Sequence, residues 1–87
     1  THNEDELLAR CYRSCFALAA QHAVRTIAFP AISTGIYGFP LERATRIAVT
    51  ETTRFLADNA EIEEVRFVCF GAETHRVYHA TVAQLAQ

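Results

Sequence analysis

Two segments of this chain read as β-strands, and nearly every residue in both is apolar. The first is Val24-Arg25-Thr26-Ile27-Ala28-Phe29-Pro30-Ala31-Ile32 and the second is Val65-Arg66-Phe67-Val68-Cys69-Phe70. Their β-branched and aromatic content suits a pleated backbone. Pro30 has no N–H to donate, so regular pairing ends there. Neighbouring side chains of a strand point to opposite faces. The unbroken runs Ile27-Ala28-Phe29 and Phe67-Val68-Cys69-Phe70 therefore ask for cover on both sides of a sheet. A helical segment lies between the strands, which makes them parallel and joined by a right-handed crossover. Two parallel strands are not expected to stand alone. Either the chain oligomerises through open sheet edges, or strands that belong to its fold lie outside it.

Three helices complete the order α-β-α-β-α. The first has Asn3 at an N-cap position with Glu6 three residues on, a capping-box spacing, and Glu4 and Asp5 suit the positive end of the dipole. Leu8, Cys11, Cys15, Leu18 and Ala19 form its apolar stripe, widened by Leu7, Tyr12 and Phe16. It is expected to end near Gln21-His22. Pro40 fits the first turn of the second helix, whose inward residues are Ala44, Ile47, Ala48, Phe55 and Leu56, with an exit at Asp58-Asn59. Gly71 breaks the second strand. The third helix runs from about Glu73 to Leu85 and presents Val77, Tyr78, Val82 and Leu85 inward.

Charge and cysteine usage narrow the function classes. A net charge of −2 provides no sequence-independent grip on nucleic acid or anionic lipid. No apolar run approaches the ~18 residues of a membrane span, and the polar, acidic start is not a secretory signal. Cys11, Cys15 and Cys69 are too few and odd in number for a disulfide scaffold. They read as reduced, mostly buried small hydrophobes, which points to a reducing, cytoplasmic compartment. Methionine is absent even at position 1. The chain is therefore expected to start inside a longer reading frame, or to have been processed.

The segment with the most chemistry is Ala31-Ile32-Ser33-Thr34-Gly35-Ile36-Tyr37-Gly38-Phe39-Pro40. It follows the carboxyl end of a parallel strand and precedes a helix, where open α/β sheets bind ligands. Turn-forming backbone there can aim several N–H groups at an anion. Gly35 and Gly38 permit positive φ and close approach. Ser33 and Thr34 supply hydroxyls; Tyr37 and Phe39 supply rings for a sugar or base. The segment lacks Gly-Lys-Ser/Thr and is not a GxGxxG fingerprint. An ordinary strand-to-helix turn is the rival reading.

Ala28-Phe29-Pro30-Ala31-Ile32-Ser33-Thr34-Gly35-Ile36-Tyr37-Gly38-Phe39-Pro40 resembles the second ligand loop of macro domains, the ADP-ribose-binding modules. It is most similar to the branch that hydrolyses ADP-ribose esters, namely mono-ADP-ribosyl-protein hydrolases and O-acetyl-ADP-ribose deacetylases. Leu7-Leu8-Ala9-Arg10-Cys11-Tyr12, Val65–Phe70 and Glu73–Val82 resemble the flanking elements. The resemblance implies that Ser33, Thr34, Gly35, Ile36 and Tyr37 hold a diphosphate through backbone N–H groups. It implies that Gly35 and Gly38 let the loop close, that Tyr37 lies beside the distal ribose, and that Phe70 or a neighbour packs on adenine. A complete domain of the family is about twice as long. Its N-terminal half carries the first strands, an acidic residue that reads adenine, and a glycine-rich loop with the asparagine and aspartate assigned to the distal ribose and to water activation. No matching segment occurs here, so residues 1–87 look like the C-terminal half of a three-layer α/β/α macro domain, with no identifiable catalytic residue and no cofactor.

The remaining motifs have plain structural readings. His75 and His79 are spaced i, i+4, but no third ligand is evident, so no metal site is expected and both belong on an outer helix face. Cys11 and Cys15 share that spacing and that weakness. His22 suits a helix C-terminus. Glu61, Glu63 and Glu64 form a solvated turn that shields a sheet edge. Three functions stand: a fragment of an ADP-ribosyl hydrolase, a non-catalytic ADP-ribose reader, or an inactive truncation product. The expected partners are ADP-ribose or an ADP-ribosylated protein, and either the missing N-terminal half or further copies of this chain.

Overall fold

A helical stretch of 20 residues opens the chain, and its aromatic face decides where everything else sits. The computed structural model describes residues 2–31 and 40–85. The element order is α1 (His2–Gln21), β1 (Thr26–Pro30), α2 (Leu41–Asp58), β2 (Glu64–Val68) and α3 (Ala72–Leu85). This is the expected α/β order. Helix α1 already includes Asn3, so that residue lies within the first turn and does not flank it. Cap signals define a helix end only to within a residue or two.

The strands pair in parallel, with Thr26 opposite Glu64 and Pro30 opposite Val68. The Ala31 N–H donates to the Val68 carbonyl at 2.8 Å, one step beyond the last paired residues. α1 packs on α2 and α2 on α3, giving a helix layer with α1 and α3 at its flanks.

That layer covers one face of the sheet. Ile27, Phe29 and Ala31 of the first strand region, and Val65, Phe67 and Cys69 of the second, pack against Tyr12, Phe16, Ala48, Val49 and Tyr78. Phe16 stacks on Phe55 at 4.4 Å between ring centres, and Phe29 meets Tyr12 and Phe16 edge-on at 5.5 Å. Phe67 and Tyr78 join the third helix to the same core. The opposite sheet face, carrying Ala28, Pro30, Arg66 and Val68, is exposed. Of the two faces that the apolar runs ask to have covered, the three helices cover one.

The cysteine expectation is corrected. Cys11 and Cys15 are exposed and Cys69 is half-buried. α1 offers two apolar arcs, and the one holding Ala9, Tyr12 and Phe16 turns inward because aromatic rings remove more apolar area from water. Leu7, Cys11, Cys15 and Leu18 are left on the outside. On α3, Val77, Tyr78 and Thr81 are buried, Leu85 is half-buried and Val82 faces out. Thr45 takes a core position on α2 at no polar cost, since its hydroxyl donates to the Leu41 carbonyl at 2.8 Å.

α1 ends in a Schellman arrangement. The Val24 N–H donates to the Ala19 carbonyl at 3.0 Å and the Ala23 N–H to the Ala20 carbonyl at 3.3 Å. Ala23 takes φ 57° to make it, a left-handed conformation that penalises any Cβ. Ala23→Gly should therefore raise stability by about 0.5–1 kcal/mol, read as a higher urea midpoint with an unchanged m-value.

The Tyr12 and Tyr78 phenols lie together in the core. Burial pushes the Tyr12 phenol up, and the hydrogen-bonded Tyr78 beside it adds to the shift. Burial also raises Tyr78, offset in part by its hydrogen bonds with Tyr12 and Thr45. A phenol whose folded-state pKa is raised stabilises the fold fully below the unfolded value, which is 10.0, and loses that stabilisation as pH rises beyond it. Urea stability should be flat from neutrality to that point. Above it, stability should fall by up to about 1.4 kcal/mol per pH unit for each phenol, and Tyr12→Phe should reduce the slope.

Candidate functional site

The carboxyl ends of both strands and the amino ends of the two helices that follow them lie at one end of the molecule. The connection from β1 leaves at Ala31, beside Val68, and returns at Pro40. Ser33, Thr34, Gly35, Ile36, Tyr37 and Gly38, the residues singled out for diphosphate and ribose, fall outside the described residues. The flanks are described. Pro40 is the N-cap of α2 at φ −61° and ψ 137°, and makes no side-chain cap; its carbonyl accepts the Ala44 N–H at 3.0 Å. It thus sits one residue before the helical turn in which it was expected. Cβ-bearing residues at such a cap would have no steric problem; what proline contributes is a fixed φ.

Phe70 follows β2 and is 76% exposed. It shares the outward side of the strand with Val68. Gly71 then turns the chain at φ 107°, a conformation in which a side chain is strained, and its carbonyl accepts the His75 N–H at 3.2 Å. Phe70 lies two residues past Val68, whose carbonyl accepts the Ala31 N–H where the β1 connection departs. An exposed ring there offers a flat apolar face to a planar ligand.

Charge near the start of α3 comes from an ion pair that the sequence alone did not single out. Arg76, in the first turns of α3, donates to both Glu73 oxygens, at 3.0 Å and 2.7 Å. This bidentate pair holds the Glu73 carboxyl below its usual range and the guanidinium above its own. Glu42, in the first turn of α2, adds to the second effect. The i, i+3 spacing of Glu73 and Arg76 was the available signal. Helix starts at the carboxyl ends of parallel strands present N–H donors and a positive dipole, an arrangement suited to an anionic ligand.

Further ion pairs tie α1 to α2. Arg13 of α1 bridges Glu6 at 2.6 Å and the buried Glu51 of α2 at 3.2 Å, and Arg43 pairs with Asp5. Glu63 and Glu64 are exposed and pair with Arg25 and Arg66, as a solvated turn would. His75 and His79 are exposed with their rings parallel, 6.1 Å apart. Among the described residues no three or more metal-ligating side chains gather, and no helix is long and apolar enough to cross a membrane.

A family model described as Macro domain matches residues 1–48. A macro domain-containing protein of Chlorobaculum tepidum is 52% identical over 82 residues, covering 94% of this chain and 48% of the relative. O-acetyl-ADP-ribose deacetylase 1 of Pantoea vagans is 51% identical over 77 residues, covering 88% of this chain and 45% of the relative. Among solved structures, the Oceanobacillus iheyensis macrodomain with ADP superposes at a TM-score of 0.87 and 35% identity, covering 94% of this chain and 43% of that one. The chain thus spans about half the length of the curated relatives it matches.

Proposed function

This chain belongs to the macro-domain family, and from that premise we propose that it forms one wall of an ADP-ribose cleft in a hydrolase of ADP-ribose esters. The observation that carries the reading is the 51% identity, across 88% of this chain, to a relative named O-acetyl-ADP-ribose deacetylase. The neighbour with ADP supports the nucleotide part of it.

In this reading residues 1–87 are the C-terminal half of the domain. Ser33, Thr34, Gly35, Ile36 and Tyr37 grip the diphosphate through their backbone N–H groups, with Gly38 completing the loop. Such donors suit the task because a diphosphate brings about two negative charges that must leave water, and fixed amide dipoles replace that hydration without reorganising. Tyr37 bears on the distal ribose, which carries the ester. Phe70, exposed after β2, stacks on adenine. A water held near the diphosphate attacks the ester carbonyl or the ester-bearing carbon. No residue of this chain is assigned the activation of that water.

The test compares the isolated chain with a complete domain in which the family's other half precedes Thr1. ADP-ribose is titrated by calorimetry, and O-acetyl-ADP-ribose and ADP-ribosylated protein are offered as substrates. Binding and ester hydrolysis are expected only in the complete domain. Binding without hydrolysis there would make the protein a reader. Micromolar binding by the isolated chain would overturn the incomplete cleft.

A further inference from the structure

His75 and His79 take part neither in the core nor in the ion pairs of α3. Helical spacing of 100° per residue separates three sides of this helix. Val77, Tyr78 and Thr81 are buried. Glu73, Arg76 and Gln84 share the side toward α2, where Gln84 accepts a hydrogen bond from Arg46 at 3.0 Å. His75 and His79 fall on the opposite flank, and both are exposed. Their rings lie parallel to within 15°, with centres 6.1 Å apart. Among the described residues neither imidazole has a hydrogen-bond or ion-pair partner.

We propose that His75 and His79 hold one divalent first-row transition ion, of the nickel, copper and zinc class, between their imidazoles, with water in its remaining positions. From spacing alone the pair falls short of a three-ligand metal site. A two-ligand site asks for less: two donors side by side on one rigid element, lone pairs committed to nothing else, and room for water. Residues four apart on a helix are neighbours, and metal–imidazole bonds are about 2.0–2.1 Å. An ion set between the two rings therefore reaches a nitrogen of each once these exposed side chains turn about their own bonds. Arg76 is the nearest cation along the chain, and Glu73 matches its charge through hydrogen bonds of 3.0 Å and 2.7 Å. It does not oppose an incoming cation as a bare guanidinium would. Ala72 and Ala83, exposed beside the pair, are too small to crowd the outer coordination positions. Imidazole selects this class of ion, whereas magnesium and calcium take oxygen ligands. The site stands on the flank of α3 and uses none of the residues assigned to ADP-ribose, so it is independent of that reading.

The imidazoles report the ion directly. Nickel(II) chloride is titrated into the chain near neutral pH, and the imidazole signals of His22, His75 and His79 are followed by nuclear magnetic resonance. The paramagnetic ion should broaden His75 and His79 together, at a concentration at least about tenfold below the one that broadens His22, because the second imidazole binds within the same molecule. Zinc(II) should shift the same two signals, and magnesium(II) should leave them in place. His79→Ala should raise the nickel concentration needed to broaden His75 at least about tenfold. His79→Ala combined with Ala80→His keeps the number of imidazoles but turns one of them away around the helix, and it should not restore the loss. All of these positions are exposed, so the far-ultraviolet dichroism of both variants should match that of the wild type. Nickel should also raise the urea midpoint of the wild type more than that of His79→Ala, since the chelate exists only in the folded helix. Broadening of His75 at an unchanged nickel concentration in either variant overturns the proposal, as does a His22 signal as sensitive as the pair. A shift of both signals by magnesium(II) overturns the assigned class of ion.

Discussion

Phe16→Ala should abolish cooperative unfolding at room temperature. Phe16 is 2% exposed, stacks on Phe55 and meets Phe29 edge-on, so one ring links α1, α2 and β1. Deleting a buried phenylalanine costs about 3–5 kcal/mol, through lost transfer energy and the cavity left behind. Stabilities run at roughly 0.05–0.15 kcal/mol per residue, and a chain with one sheet face in water belongs toward the lower end. The loss is therefore comparable with the whole stability. The measurement is a urea titration followed by near-ultraviolet dichroism, in which the variant should show no native baseline. Leu18→Ala, two residues away on the open arc, is the control and should shift stability by no more than about 0.5 kcal/mol. A Phe16→Ala loss as small as the control's would mean that the core is not organised around this ring.

Gly35→Glu should lower ADP-ribose affinity in the complete domain by at least about a hundredfold. The change sets a long anionic side chain where the proposed loop receives two phosphates, and like charges at contact distance in a partly dry cleft repel by several kcal/mol. Gly35→Ala, which adds a methyl group and no charge, should cost much less. Calorimetry on the three proteins separates the contributions. Wild-type affinity in the glutamate variant would remove residues 33–38 from the phosphate site. Urea titration of the same variants, with a midpoint expected near that of the wild type, separates loss of binding from loss of fold.

Element order and the parallel pairing were both legible in the sequence. The β-branched runs, Pro30, the Gly and Pro punctuation and Gly71 each have a local cause, and local causes are written in neighbouring residues. The family was legible for another reason: thirteen residues carry a pattern that resembles it, and a family model covering residues 1–48 agrees. Charge near the start of α3 was less legible. Glu73 and Arg76 form their pair within one helix, whereas the influence of Glu42 on Arg76 reaches across from α2.

Which side of α1 would be core could not be read from spacing. Two arcs, Leu8-Tyr12-Phe16-Ala19 and Leu7-Cys11-Cys15-Leu18, satisfy the same periodicity, and periodicity measures only how residues line up along their own helix. The choice was made by the partners: Phe29, Phe55 and Tyr78 form an aromatic surface that rings fill better than thiols. The same holds for the sheet. Alternation along β1 and β2 assigns residues to two faces, but both faces are apolar, so which one the helices cover was decided by packing. Local chemistry set the elements and their order, while the distribution of open and closed surfaces was decided where distant segments compete for the same apolar area.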